Sequence, residues 1–408
     1  MVQQKLAEVF KAEYSNLVAV LCHFYGLDNI QLAEDMVSET FLQAMKSWSH
    51  NGIPDSPKSW LRKVATNKLK DHFRRDHTFQ NKIKLILEEK PNTISDLEIS
   101  EDLIADSLLN MIFAICNQNI SLDSQICLAL RLLCGFSIDQ IADAMLSNKE
   151  SINKKLYRGK QKFKEYKQDW NQMNTTDYQK RLNSVLRIIY LIFNEGYYSR
   201  HSNKSLRQDI CWDAMRLAIF LTKPEFLAKE NTYALIALMC YHASRFNSRI
   251  DQSGQIILLE SQNRQLWNKQ LILKGNQYLG WASSSTVLSK YHLEASIAYW
   301  HTTDLARKWE NILNLYNKLL TLEASIAIQL NRLYALAKVK SPQIALEELL
   351  SLEYKESFYS LCLTAELYGM DENKILEQVY LEKALLHAAN KEEEELIKKK
   401  LKVVTSRN

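Results

Sequence analysis

The sequence predicts an all-α protein, and three observations carry that prediction. Gly and Pro are scarce, nine and five among 408 residues, so few positions interrupt a helix. Segments rich in Leu, Ile, Ala and Lys repeat their apolar residues at helical spacing along most of the chain. No run alternates apolar and polar residues as a half-buried strand does; the nearest candidate, Ile256–Leu259, is four residues long. The 46% hydrophobic content supports real cores, and the length allows two or three domains.

The first segment reads as three packed helices. Leu6, Phe10, Tyr14, Leu17, Leu21 and Phe24 form the apolar stripe of a helix closed near Gly26. A second helix runs from about Asn29 to Trp48. It is apolar along Ile30, Val37, Phe41, Ala44 and Trp48, and polar along Asp35, Ser38, Glu39 and Gln43. The stretch His50–Pro54 breaks the chain. A third helix follows over Ser56–Arg75, with Ser56 suited to cap it and Pro57 suited to its first turn. Trp60, Leu61, Val64, Ala65, Leu69 and Phe73 recur at helical spacing and face a core. Lys63, Asn67, Lys70 and Arg74 recur on another side and offer cations and an amide to something outside. Trp60 has two readings, a core residue or an aromatic that stacks on an unpaired base. Asp71 and Arg75, four residues apart, are placed to pair at the helix end.

Residues 78–101 are polar, contain Pro91 and lose clean periodicity, so they read as a linker with a candidate helical start at Asn81–Glu89. A helix through Ile104, Leu108, Met111 and Ile115 follows, then one over Ser121–Leu133 ended by Gly135. Two capping boxes come next, Ser137 with Gln140 and Ser147 with Glu150. The first opens a short helix through Met145. The second opens a longer one that turns Ile152, Leu156 and Phe163 inward and leaves Lys149, Asn153, Lys154, Tyr157, Arg158 and Gln161 outward. Short helix, tight turn and long basic helix describe a helix-turn-helix.

Charge distribution agrees. The chain is +5 overall, yet Pro57–Lys90 and Lys149–Lys167 are each +6, so the remainder is acidic. Two basic segments in such a chain suggest a polyanion contacted at two places.

From about residue 171 the charge turns neutral to acidic and helix follows helix. The spacing predicts helices near Asp177–Asn194, Ser205–Thr222, Tyr233–Ser244, Arg264–Leu279, Tyr291–Asp304, Trp309–Leu320, Ala324–Lys338, Gln343–Leu352 and Ser357–Tyr368, and two more beyond. Small residues alternate with aromatics in the later ones, a texture of TPR-like helix pairs whose usual use is binding a partner. Glu195, Asp209, Glu260, His242, His292 and His301 are isolated, and no HExxH, GxSxG, P-loop or GxGxxG occurs, so an enzyme is not expected. In Asn194–Tyr197, Gly196 reads as a helix terminator.

The seven cysteines form no CxxC pair and lie mostly among apolar residues, which reads as buried thiols in a reducing compartment. No cofactor or metal is expected. The N-terminal stretch is amphipathic and contains acids, unlike a signal peptide, and apolar runs such as Leu186–Phe193 are too short to span a bilayer. A cytoplasmic protein is expected.

Taken together, LAEDMVSETF (Leu32–Phe41) and PDSPKSWLRKVATNKLKDHFRR (Pro54–Arg75) resemble region two of an extracytoplasmic-function sigma factor of bacterial RNA polymerase. The fit lies in Asp35, Val37, Glu39, Phe41, Trp60, Leu61, Ala65, Asn67, Asp71, Arg74 and Arg75; Ser38 departs from the usual Gln. Residues 121–166 resemble sigma region four. YLIFNEGYYSRHS, LRQDICWDAMRLA, LLESQNRQLW and YHLEASIAYWH are similar to the long C-terminal extension of one sigma subgroup, in which a TPR-like domain is fused to the DNA-binding regions.

The resemblance implies region two over residues 1–77, a linker over 78–101, region four over 102–170 and a TPR-like regulatory domain over 171–408. It implies docking on the polymerase clamp coiled coil through Asp35, Ser38, Glu39 and Phe41, with a further contact between region four and the polymerase flap. Recognition of the promoter −10 element would fall to Trp60, Lys63, Asn67, Lys70, Arg74 and Arg75. Contact with the −35 element would fall to Lys149, Asn153, Lys154, Tyr157 and Arg158. The partners implied are core RNA polymerase, promoter DNA and a protein or small-molecule regulator of the C-terminal domain. Two other readings remain: a helix-turn-helix regulator that acts without polymerase, and a helical scaffold whose basic helices meet acidic partners.

Overall fold

In the computed structural model, residues 2–75, 99–145, 147–165, 173–197, 207–251, 257–353, 355–389 and 391–405 are described. Every extended element among them is helical, as the scarcity of Gly and Pro requires. The chain divides into two compact units, 1–228 and 229–408.

The first unit opens with α1 (Val2–Tyr25), α2 (Ile30–Asn51) and α3 (Pro57–Arg75). Gly26 and Gly52 end the first two in left-handed backbone, at φ 83° and 79°. Ile30, Val37, Phe41, Ala44 and Trp48 of α2 are all buried, and so are Leu61, Ala65 and Leu69 of α3. Each fully buried Leu contributes roughly 1.5–3 kcal/mol. At the start of α3 the Trp60 N–H donates to the Ser56 carbonyl at 3.1 Å, while the Ser56 hydroxyl donates to Ser59 Oγ at 2.9 Å. The expected pairing of Asp71 with Arg75, and the helical start at Asn81–Glu89, lie outside the described residues.

The unit continues with α4 (Glu101–Ile115), α5 (Leu122–Leu128), α6 (Ile138–Ala144) and α7 (Lys149–Glu165). α5 runs into a single π-helical stretch, Ala129–Leu133, before Gly135 at φ 71°. The capping box at α6 is present in full, the Ser137 hydroxyl accepting from Gln140 N–H and the Gln140 side chain accepting from Ser137 N–H. The second box is not the cap of α7. Asn148 takes that place, its Oδ1 accepting from Ser151 N–H at 2.8 Å, because α7 begins one residue later than a Ser147 cap requires.

Two further helices, α8 (Thr175–Tyr197) and α9 (Gln208–Phe220), pair with each other. They belong to this first unit rather than to the second. The Tyr178 ring meets Phe113 edge-on at 4.9 Å, and Arg216 donates to the Leu133 carbonyl at 2.8 Å. The compact unit therefore extends to Ala228, past the boundary expected at residues 170 and 171. Gly196 does not end α8. A Cβ there would lie 2.8 Å from the Arg207 carbonyl oxygen and from Cys211 Sγ, so its role is close approach of α9.

The second unit holds α10 (Glu230–Ala243), the short α11 (Phe246–Arg249), α12 (Lys269–Ala282), α13 (Lys290–Thr302), α14 (Lys308–Leu322), α15 (Ile326–Val339), α16 (Pro342–Leu350), α17 (Phe358–Met370), α18 (Lys374–Leu386) and α19 (Lys391–Thr405). From α13 onward each helix packs on the next in sequence. Two apolar clusters run along this series. One joins residues such as Leu313, Leu333 and Leu349; the other joins Leu361, Leu381 and Ile397. Ser289, Ser325, Ser341 and Ser357 sit at the N-caps of α13, α15, α16 and α17, consistent with the helix breaks expected between them. Residues 257–259 carry no strand.

Candidate nucleic-acid and polymerase-docking surfaces

On α2 the buried stripe leaves a face of Asp35, Ser38, Glu39, Leu42 and Met45 in solvent. Asp35 accepts from the Gln31 side chain at 3.2 Å, and Glu39 is paired with Lys68 of α3 at 2.9 Å. Ser38 is spent on its own helix, donating to the Glu34 carbonyl at 2.8 Å. Phe41 is not part of this face. It is 6% exposed and its ring lies 4.7 Å from that of Phe10, because it belongs to the periodic stripe that closes the three-helix core. The offered face is thus acidic with an apolar margin from Leu42 and Met45.

Along α3, Lys63 and Asn67 are exposed on one side. Lys70 is half-buried and engaged with a neighbour. Trp60 is half-buried as well and packs edge-on against the buried Trp48 at 5.6 Å. The ring therefore combines both sequence readings, anchored on one side and accessible on the other. The side chains of Arg74 and Arg75 lie outside the described residues. Arg62, which helical periodicity does not single out, ties the module together. It donates to Glu13 of α1 at 3.1 Å and to Glu101 of α4 at 2.6 Å, and these carboxylates raise its pKa against the effect of burial.

On α7, Asn153, Lys154, Tyr157 and Arg158 project together into solvent. Lys149 joins them, held by Asp139 of α6 at 2.8 Å, and Lys154 is braced by Glu150 at 2.6 Å. Such exposed pairs contribute about 0–1 kcal/mol and exchange readily for a phosphate. The opposite side is packed: Ile152, Leu156 and Phe163 are buried. Gly159 is buried too, and a Cβ on it would meet Leu128 Cδ1 of α5 at 2.6 Å. Gly at this position removes a steric block and lets the basic helix press onto α5.

One carboxylate at the base of these surfaces has no distinct sequence signal. Glu34 lies on α2 beside the exposed Asp35, yet it is 3% exposed. Its Oε1 accepts from Tyr14 of α1 at 3.1 Å and from Arg131 of the π-helical stretch at 3.0 Å. Its Oε2 accepts from Lys160 of α7. The Arg131 guanidinium also stands over the Tyr14 ring, 5.5 Å from its centre. Burial, with Glu34 adding to it, pushes the Tyr14 phenol well above its ordinary pKa.

In the second unit, His242 and His301 are held neutral near physiological pH. Burial, reinforced by Arg245, keeps His242 well below 6.5, and burial with Lys308 and Arg245 nearby lowers His301 to about 3. A cavity of about 440 Å³ is lined by Asp304, Arg307, Lys308, Trp309 and Lys338. Among the described residues no group of His, Cys, Asp and Glu is arranged to hold a metal ion, and no helix is long and apolar enough to cross a membrane. Cys22, Cys116, Cys127, Cys134, Cys211 and Cys240 are buried thiols and Cys362 is half-buried.

Comparison with known proteins bears on both halves. The family model described as Sigma-70 region 2 matches residues 10–78, and one described as a family of unknown function (DUF6596) matches residues 181–283. The chain is 32% identical over 344 residues to an uncharacterized protein of Rhizobium meliloti (strain 1021), covering 80% of this chain and 78% of that one. It is 24% identical over 138 residues to the ECF RNA polymerase sigma factor SigX of Bacillus subtilis (strain 168), covering 33% of this chain and 71% of the relative. Over the same length it is 27% identical to the ECF RNA polymerase sigma factor BldN of Streptomyces coelicolor (strain ATCC BAA-471 / A3(2) / M145), covering 33% of this chain and 50% of the relative. No solved structure matches the chain. With α1–α3 forming a sigma-70 region 2, and with a relative matched along most of both chains, the protein belongs to the sigma-70 family, in the same family as the Rhizobium meliloti protein.

Proposed function

We propose that this protein is a promoter-specificity subunit: it binds core RNA polymerase and directs initiation at a restricted set of promoters. The observation that carries the reading is a pair of exposed surfaces in one compact unit. The α2 face of Asp35, Ser38 and Glu39 is acidic, while α3 and α7 expose Lys63 and Asn67, and Asn153, Lys154 and Arg158. A repressor that acts without polymerase has no use for the first; a scaffold has no use for the helix-turn-helix geometry of the second.

In this reading Asp35, Ser38 and Glu39 dock on the clamp coiled coil, with Leu42 and Met45 supplying the apolar part of the contact that the Phe41 ring cannot. Trp60, Lys63, Asn67, Lys70, Arg74 and Arg75 engage the −10 element. The accessible side of Trp60 stacks on a base, and the Asn67 amide supplies both a donor and an acceptor. On α7, Lys149 and Lys154 neutralise phosphate, and Asn153, Tyr157 and Arg158 are placed for base edges of the −35 element. Region four spans residues 102–170 and also meets the polymerase flap. The region from 171 onward, ending in the TPR-like series α13–α19, modulates activity through a bound regulator. The protein is not itself an enzyme and works in the cytoplasm.

The test is a binding measurement with purified core polymerase. Wild type binds, Asp35→Ala binds at least several-fold more weakly with unchanged thermal unfolding, and equal binding by the two proteins contradicts the docking assignment.

A further inference from the structure

The two DNA-facing helices of the first unit are locked to each other through Glu34. This carboxylate sits on the docking helix α2, is buried, and is satisfied entirely from elsewhere: Tyr14 on α1, Arg131 on the π-helical stretch after α5, and Lys160 on α7. Lys160 also donates to the Gln31 side chain at 3.0 Å. The Ser15 hydroxyl donates to the Leu133 carbonyl at 2.8 Å, and Arg62 bridges Glu13 to Glu101. Every one of these bonds except that of Tyr14 and the Arg62–Glu13 arm joins the N-terminal module, α1–α3, to the module α4–α7.

That arrangement conflicts with simultaneous reading of two promoter elements. Positions −10 and −35 are about 25 base pairs apart, which is roughly 85 Å at about 3.4 Å per base pair. Here the C-terminal half of α7 is within hydrogen-bonding distance of α2. Neither DNA face is covered, since Lys63, Asn67, Asn153, Lys154 and Arg158 are all exposed. What the contact fixes is their spacing, and it also hides one carboxylate of the acidic α2 face.

We propose that the Glu34–Arg131–Lys160 contact is an autoinhibitory clasp. It holds the free protein in a closed form able to touch one promoter element at a time, and it opens when core polymerase engages α2. Opening exposes Glu34 beside Asp35 and Glu39, so polymerase gains a carboxylate at the moment that the clasp loses one. The inference rests on the sigma-factor reading above.

The experiment uses the full chain with donor and acceptor dyes on His50→Cys and Lys164→Cys, both exposed sites outside the assigned contacts. A Cys362→Ser background leaves only buried native thiols, whose reactivity burial suppresses. The free protein shows high transfer efficiency; with core polymerase and promoter DNA the separation grows by several tens of ångströms. Lys160→Met, and independently Ser15→Ala, shift the free protein toward the long distance and lower the core-polymerase concentration at half-saturation several-fold. An unchanged distance on forming a complex that does initiate transcription overturns the clasp and leaves the sigma reading standing. So does a pair of variants with wild-type distance and wild-type half-saturation. If no form of the protein binds core polymerase, the sigma reading falls and takes the clasp with it.

Discussion

Replacing Glu34 by Gln removes one charge and almost no volume, so its cost reports the electrostatics of the junction. In the wild type the carboxylate accepts from Tyr14, Arg131 and Lys160. The Arg131 and Lys160 side chains are only 23% and 18% exposed, so losing their counter-charge is poorly compensated by water. Removing one partner of a fully buried ion pair costs about 3–5 kcal/mol. Partial exposure of the two cations and the surviving amide hydrogen bonds reduce this to about 2–4 kcal/mol. For a unit of this size that corresponds to a fall in Tm of roughly 5–15 °C. The control is Glu39→Gln, whose carboxylate is 64% exposed and whose pair with Lys68 is worth about 0–1 kcal/mol. Thermal unfolding followed by circular dichroism, on full chains differing only at these positions, separates the two. A Glu34→Gln protein whose first transition moves no more than that of Glu39→Gln refutes the reasoning that Glu34 is the electrostatic centre of the unit.

Other expected outcomes rest on the same geometry. Gly159→Ala improves helix propensity by about 1 kcal/mol but drives a methyl into Leu128, an overpacking cost of about 1–3 kcal/mol, so urea unfolding shows no gain in stability and up to about 2 kcal/mol of loss. Arg158→Ala weakens binding to a −35 duplex by about 1–3 kcal/mol if it reads a base edge, and its loss differs between duplexes of different sequence; an unchanged affinity in filter binding removes the residue from the interface. Truncation after Ala228 leaves a cooperatively unfolding fragment, whereas truncation after Trp170 strips Tyr178 from Phe113 and lowers Tm. His301, with a folded pKa of about 3 against an ordinary 6.5, binds a proton more readily when unfolded, so stability of the second unit falls as pH drops below 6.5. The slope is up to about 1.4 kcal/mol per pH unit, and His301→Phe flattens it in thermal unfolding measured from pH 7 to pH 5.

The parts visible in the sequence are those set by each helix alone. Ile30, Val37, Phe41, Ala44 and Trp48 mark the inner face of α2 because burial there follows the helical period. The Ser137–Gln140 box announces α6 because both partners lie within one turn. Features set by residues far away in the chain are not legible in this way. Glu34 looks like its neighbours on an acidic helix; its burial depends on Arg131 and Lys160, 97 and 126 positions distant. Gly159 and Gly196 look like weak points or terminators by propensity, yet each is required by a neighbouring helix, α5 or α9, that no local window contains. Phe41 shows the converse error, a residue carried over by motif onto a docking face when its own period already assigns it to the core. The α8–α9 pair reads with the C-terminal series because helical texture does not record which core a helix joins.

Whether this protein directs promoter-specific initiation is tested most directly by transcription in vitro. Purified core RNA polymerase is supplied with a genomic promoter library, with and without the chain. A promoter-specificity subunit yields a defined set of transcripts that appear only with the chain and disappear with Asp35→Ala. A chain that neither binds core polymerase nor raises initiation at any promoter contradicts that role.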